Sequence, residues 1–171
     1  MLAAEAGATA GAHMKWGITA ATAALILAAS AAGAQARDIP AGGLTVDEVA
    51  AWLQQAGYKG ALSKTDDGER YVSSAAEGVS FAVYMYDCKD GPRCASMQFS
   101  VVFDLDKGLT ADKINQWNRE KRYIKAYIDS EGDPWGQYDV NLSPGRTYEG
   151  LDDDFAVWRQ TLPVFKTFVG E

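Results

Sequence analysis

Histidine is almost absent from this chain. The single copy is His13, and nothing downstream of it is a histidine. That excludes Ser-His-Asp and Cys-His catalysis, imidazole acid–base chemistry and His-containing metal sites from the rest of the chain. Cysteine is scarce too, with only Cys88 and Cys94, too few for a four-thiolate zinc site. Positive charge is short: 16 Lys and Arg stand against 23 Asp and Glu, a net of −7. Such a chain repels phosphate backbones, which argues against nucleic acid as a partner. It carries no basic amphipathic stretch to hold it on a membrane.

Long apolar runs are missing, with one short exception. After Met14-Lys15 the segment Gly17 to Ala32 has no charge, and Ala34-Gln35-Ala36 follows. A positive start, an apolar stretch and small residues around a cleavage point are the order of a secretory signal peptide. The stretch is short for a hydrocarbon layer of about 30 Å. Residues 14–36 are therefore expected to be a signal peptide cleaved after Ala36, placing the chain in the periplasm or medium. Residues 1–13 are read as an over-extended N-terminus, 37–43 as a short linker, and 44–171 as one domain of ordinary size.

Hydrophobic periodicity divides that domain. Thr45 and Glu48 have capping-box spacing, opening a helix that Gly57 closes. A weak strand over Tyr58 to Lys64, the Asp66-Asp67-Gly68 turn and a strand over Arg70 to Ser74 follow. Val79, Phe81, Val83 and Met85 alternate with Ser80, Ala82, Tyr84 and Tyr86. Met97, Phe99, Val101 and Phe103 alternate with Gln98, Ser100, Val102 and Asp104. Both runs have the period of two that marks a half-buried strand. A second helix starts at Thr110, with Ile114 and Trp117 inward. Strands over Arg122 to Asp129 and Trp135 to Leu142 come next. A last helix spans about Leu151 to Val169, where Leu151, Phe155, Trp158, Leu162 and Phe165 form one stripe. Pro163 falls inside it and should bend it. The order α-β-β-β(-β)-α-β-β-α predicts an α+β fold, a largely antiparallel sheet with helices on one face.

Chemistry-bearing residues are few. Cys88 and Cys94 lie at one hairpin tip, and in an oxidising compartment they should form a disulfide that pins its register. Their spacing is not that of a C-x-x-C redox pair. Asp104, Asp106 and Gly108 hint at a calcium loop, but glycine falls at position five, and Asn115 stands where the loop needs glutamate. Asp152 to Asp154 suit a helix N-terminus. Asp129, Glu131 and Asp133 suit a turn. No catalytic residue, cofactor or metal ligand is assigned. The basic cluster Lys113, Arg119, Lys121, Arg122 and Lys125 could dock an acidic partner. Tyr84, Tyr86, Tyr123 and Tyr127, with Lys125, are expected on the sheet face away from the helices, where polar-tipped aromatics suit protein recognition.

Asn115-Gln-Trp-Asn-Arg-Glu-Lys-Arg-Tyr123, followed by Tyr127-Ile-Asp-x-Glu-Gly-Asp133, resembles the YbjN-type domain family, labelled bacterial sensory transduction regulators. The similarity extends from about Leu44 to Phe168. It implies a fold similar to type III secretion chaperones, which are binding proteins and often dimers. It brings no catalytic residue. Within the motif, Trp117 is expected in the core, and Asn115 or Asn118 should tie the helix end to the next strand. The leading reading is an exported, non-enzymatic binding or chaperone-like module engaging an unknown protein or peptide, or a second copy of itself. A small carboxylate-dependent hydrolase and a structural envelope protein are the alternatives.

Overall fold

The computed structural model describes residues 36–89 and 91–170. Residues 1–13 and all of the expected signal peptide but Ala36 lie outside them. Three helices and six strands follow in chain order: α1 Val46–Gln55, β1 Ala61–Lys64, β2 Arg70–Ala76, β3 Val79–Tyr86, β4 Ser96–Val102, α2 Ala111–Glu120, β5 Lys125–Ile128, β6 Pro134–Asn141 and α3 Tyr148–Val169. The order is the one read from periodicity, and the fold is α+β. The strands form one sheet in the order β1-β2-β3-β4-β6-β5, and every neighbouring pair is antiparallel.

Each helix starts on a threonine. Thr45 accepts from Glu48 N while Glu48 returns a carboxylate oxygen to Thr45 N, a complete capping box. Thr110 and Thr147 cap α2 and α3 through Lys113 N and Gly150 N. Such caps satisfy amide groups that the first helical turn leaves unbonded, each contributing about 1 kcal/mol. α3 ends on left-handed Gly170 and continues through Pro163 as one helix.

The helices cover one sheet face. The α3 stripe supplies Phe155 and Trp158, which stack on Phe99 of β4 at 5.7 and 5.5 Å between ring centroids. Trp52 of α1 meets Phe155 edge-on at 5.4 Å, and Trp117 of α2 meets Phe165 at 4.9 Å. This aromatic layer joins Val72, Val83, Met97 and Leu162 in a core fully removed from water. Gly136 makes room for it: a Cβ there would stand 2.6 Å from the Phe165 ring.

Four expectations change. The first strand starts at Ala61 rather than Tyr58, because Gly60 passes so close to Ala50 O that a Cβ would be 2.3 Å away. β2 runs on to Ala76, and Glu77-Gly78, both at positive φ, makes the tight turn into β3. The strand expected from Arg122 begins only at Lys125, since Tyr123 has φ +73° and breaks the alternation. Residues 37–43 are not a free linker. Ile39 is buried, Ile39 N donates to Arg146 O and Tyr148 N to Arg37 O, both at 2.8 Å, lashing the segment to the start of α3.

Candidate functional site: the uncovered sheet face

Strand alternation places the opposite side chains on the face that no helix covers. Direct cross-strand partners share a face, so the pairing registers define rows running across the sheet. One row is Tyr84, Gln98 and Asp139; the next is Ser73, Ala82, Ser100, Gln137 and Lys125; a third pairs Val102, Trp135 and Tyr127. Tyr71 continues the first row, its ring 5.2 Å from that of Tyr84. The middle row is small where it crosses β2, β3 and β4. Its neighbours are bulky, so a cleft of about 280 Å³ lies between the Tyr71–Tyr84 pair and Val102 with Trp135, floored by Ser73, Ala82 and Ser100.

Aromatic rings continue past the cleft. Tyr127 and Trp135 stack with 6.0 Å between centroids and 10° between planes. Trp135 Nε1 donates to Asp129 Oδ2 at 2.9 Å, and Gln137 Nε2 donates to Tyr127 OH at 3.3 Å. Tyr86 and Tyr127 remain exposed.

Polar groups on this face are held by acidic neighbours. Gln98, only 7% exposed, donates from Nε2 to Asp139 Oδ1 at 2.6 Å. A carboxylate only accepts, so the amide orientation is fixed by chemistry and Gln98 Oε1 is left as an acceptor. Ser100 is 2% exposed, and its Oγ has no hydrogen-bond partner among the described residues. The Tyr84 and Tyr86 phenols are pushed above their ordinary range, first by burial, then for Tyr84 by Tyr71 and Tyr86 ahead of Glu69, and for Tyr86 by Glu69 and Asp139. Tyr127 is raised by burial, by Tyr86 and by Asp129. All three stay protonated as polar-tipped aromatics through the physiological range.

The expected face is therefore assembled from Tyr84, Tyr86, Tyr127 and Lys125, but Tyr123 is not part of it. Its left-handed backbone turns the ring to the helix side, edge-on to Tyr138 at 6.1 Å, and the Tyr138 hydroxyl donates to Asp154 of α3. Tyr71 and Trp135 complete the face and escaped the sequence reading. The rule that found Tyr84 would have found both, had the neighbouring rows of β2 and β6 been paired.

The remaining sequence candidates hold the structure. Trp117 is 1% exposed and donates from Nε1 to Ile124 O. Asn118 bonds the backbone of Ala126, whereas Asn115 is exposed on α2. The sulfurs of Cys88 and Cys94 are at bonding distance. Beside them Arg93 makes a two-pronged ion pair with Glu48 and donates to Gly43 O. Asp129 closes its turn by accepting from Glu131 N and Asp133 N. Of the basic cluster, Lys113 lies over the Phe168 ring and Arg122 over Tyr123. Among the described residues no group of three His, Cys, Asp or Glu side chains could hold a metal ion, and no helix is long and apolar enough to cross a membrane.

The domain is α+β, with one sheet face packed by helices and the other lined by tyrosines. Residues 45–171 match the YbjN family, described as "Putative bacterial sensory transduction regulator". The chain belongs to that family. Comparison with curated proteins finds no match.

Proposed function

We propose that this chain is an exported, non-enzymatic regulatory module that works by binding a protein or peptide on its uncovered sheet face. The observation that carries the reading is the concentration of Tyr71, Tyr84, Tyr86, Tyr127 and Trp135 on that one face. Rigid aromatic rings with polar edges supply contact area at low entropic cost, and interfaces are enriched in them. The family description, a regulator rather than an enzyme, supports the same reading.

Two local features support export. A bonded Cys88–Cys94 pair suits an oxidising compartment. The backbone nitrogen of Arg37 lies 3.0 and 3.1 Å from the two carboxylate oxygens of Glu149. Cleavage after Ala36 would make that nitrogen an ammonium group, turning two hydrogen bonds into an ion pair at the start of α3.

Photo-crosslinking in living cells tests the reading. A photoreactive amino acid at Tyr84 or Tyr127 should give a discrete crosslinked product, while one at Gln160 on the exposed side of α3 should not. Equal yield from all three positions would reject the face as the binding surface. Intact mass of the protein from the periplasm should place the mature N-terminus at Arg37.

A further inference from the structure

We propose that the uncovered face recognises a cationic side chain, an arginine or lysine on a basic segment of the partner, seated over the Tyr71–Tyr84 ring pair. This rests on the face being the binding surface and names the chemistry it selects. Three independent features converge on one kind of ligand.

The first is a pair of buried oxygens that lack a hydrogen-bond partner. Ser100 Oγ is buried in the floor of the cleft and unpartnered among the described residues. Gln98 Oε1 is likewise buried and unpartnered, its amide nitrogen already committed to Asp139. A buried acceptor with no donor is costly, and a guanidinium or ammonium group brings donors and nothing else. The second feature is the ring pair. The ring centroids are 5.2 Å apart with planes tilted by 34°, and a phenol face presents negative quadrupole to a cation laid against it.

The third feature is charge. Asp139 stands in the same row as Tyr84 and Gln98. Glu69 is two residues before Tyr71, on the same side of the alternation. Among the described strand residues of this face, Lys125 is the one cation, and it sits two strands beyond Ser100, on the edge strand β5. Acidic groups therefore flank this row on both sides, Glu69 two residues before Tyr71 and Asp139 beyond Gln98. An anionic segment would meet like charge at Glu69 and Asp139.

The test uses the folded domain and three peptides of one length: Ser-Arg repeats, the same peptide with citrulline for arginine, and Ser-Glu repeats. Citrulline keeps the shape and removes the charge. Binding is followed by amide chemical shifts of the labelled protein. The arginine peptide should shift Ser73, Ala82 and Ser100 and bind roughly fivefold to thirtyfold more tightly than the citrulline peptide, the range a cation–aromatic contact supports. Asp139→Asn and Tyr84→Leu should each weaken it. Asp153→Asn, at an exposed position of α3, should leave it unchanged, with near-ultraviolet circular dichroism confirming that all variants fold.

Equal binding of the arginine and citrulline peptides overturns the proposal, as does an arginine response that maps to the helices. Concentration-dependent shifts of the same residues without peptide would assign the face to a second copy and overturn it too. If crosslinking at Tyr84 succeeds while charge makes no difference, the binding face stands and the cationic ligand falls. If both fail, the face itself is wrong.

Discussion

Asn118 on α2 satisfies both backbone groups of Ala126 on β5: its Nδ2 donates to the carbonyl at 2.9 Å and its Oδ1 accepts from the amide at 2.9 Å. The side-chain amide stands in for one residue of a neighbouring strand. It does so on the side of β5 that faces away from β6. Asn118→Ala removes both bonds and should cost about 2 kcal/mol, at about 1 kcal/mol per net hydrogen bond. Urea unfolding measures the loss. Asn118→Asp should recover little, since a carboxylate cannot donate to the Ala126 carbonyl.

The Cys88–Cys94 bond closes a short loop, with a sequence separation of 6. Constraining so few residues in the unfolded chain is worth roughly 2 kcal/mol. Reduction, or the Cys88→Ser/Cys94→Ala pair, should lower stability by about that amount and leave the domain folded. Denaturant midpoints with and without reductant read this directly. Complete unfolding on reduction would show the bond to be indispensable, against the small loop entropy.

Acid should weaken the link between that loop and α1. Burial disfavours ionised Glu48, but Arg93 and the Thr45 cap outweigh it and hold its carboxyl below the ordinary 4.5. The folded value is thus below the unfolded one. The stabilisation is present above pH 4.5 and is lost as pH falls through the lower, folded value. Glu48→Gln should be less stable than the parent at neutral pH, and the gap should narrow below pH 4.5. A gap independent of pH, measured by thermal unfolding across the acid range, would contradict this.

Gly136 is a steric requirement rather than a turn. Its Cα faces the α3 side, where a Cβ would fall 2.6 Å from Phe165 and 3.1 Å from Ile124. Gly136→Ala should overpack the core by about 1–3 kcal/mol. Pairing it with Phe165→Leu should give back part of the loss. Additive losses in the double variant would mean that the two sites do not meet.

The Arg37–Glu149 contact makes a prediction about processing. The Glu149 carboxyl lies below its ordinary range, chiefly through the Arg37 amide. Protein beginning at Arg37 should melt at a higher temperature than protein retaining the upstream residues. The difference should disappear in Glu149→Gln.

The helices and the strands β3 and β4 were legible because their periodicities are clean and their caps are local. The α3 stripe and the alternation around Phe81 and Phe99 are long enough to have one reading. Strand ends were harder. Tyr123 has a favourable strand residue type, yet it takes a positive φ just before the chain that Trp117 and Asn118 bond at Ile124 and Ala126. That grip joins residues up to eight apart, beyond the reach of alternation. The candidate face was half legible for a related reason. Alternation assigns each side chain to a face, but only the β4–β6 pairing, which skips α2 and β5, sets Ser100 beside Gln137 and Val102 beside Trp135. The role of residues 37–43 was hidden because their partners, Arg146 to Tyr148, lie more than a hundred positions away.

The plugged edge of β5 bears on assembly symmetry. With Asn118 occupying Ala126, strand addition is left to β1, the other border of the sheet. Two copies meeting there would pair about a two-fold axis and present only stoppered edges outward. Pairing edge to edge through β1 would use one free border per copy and so would join two copies.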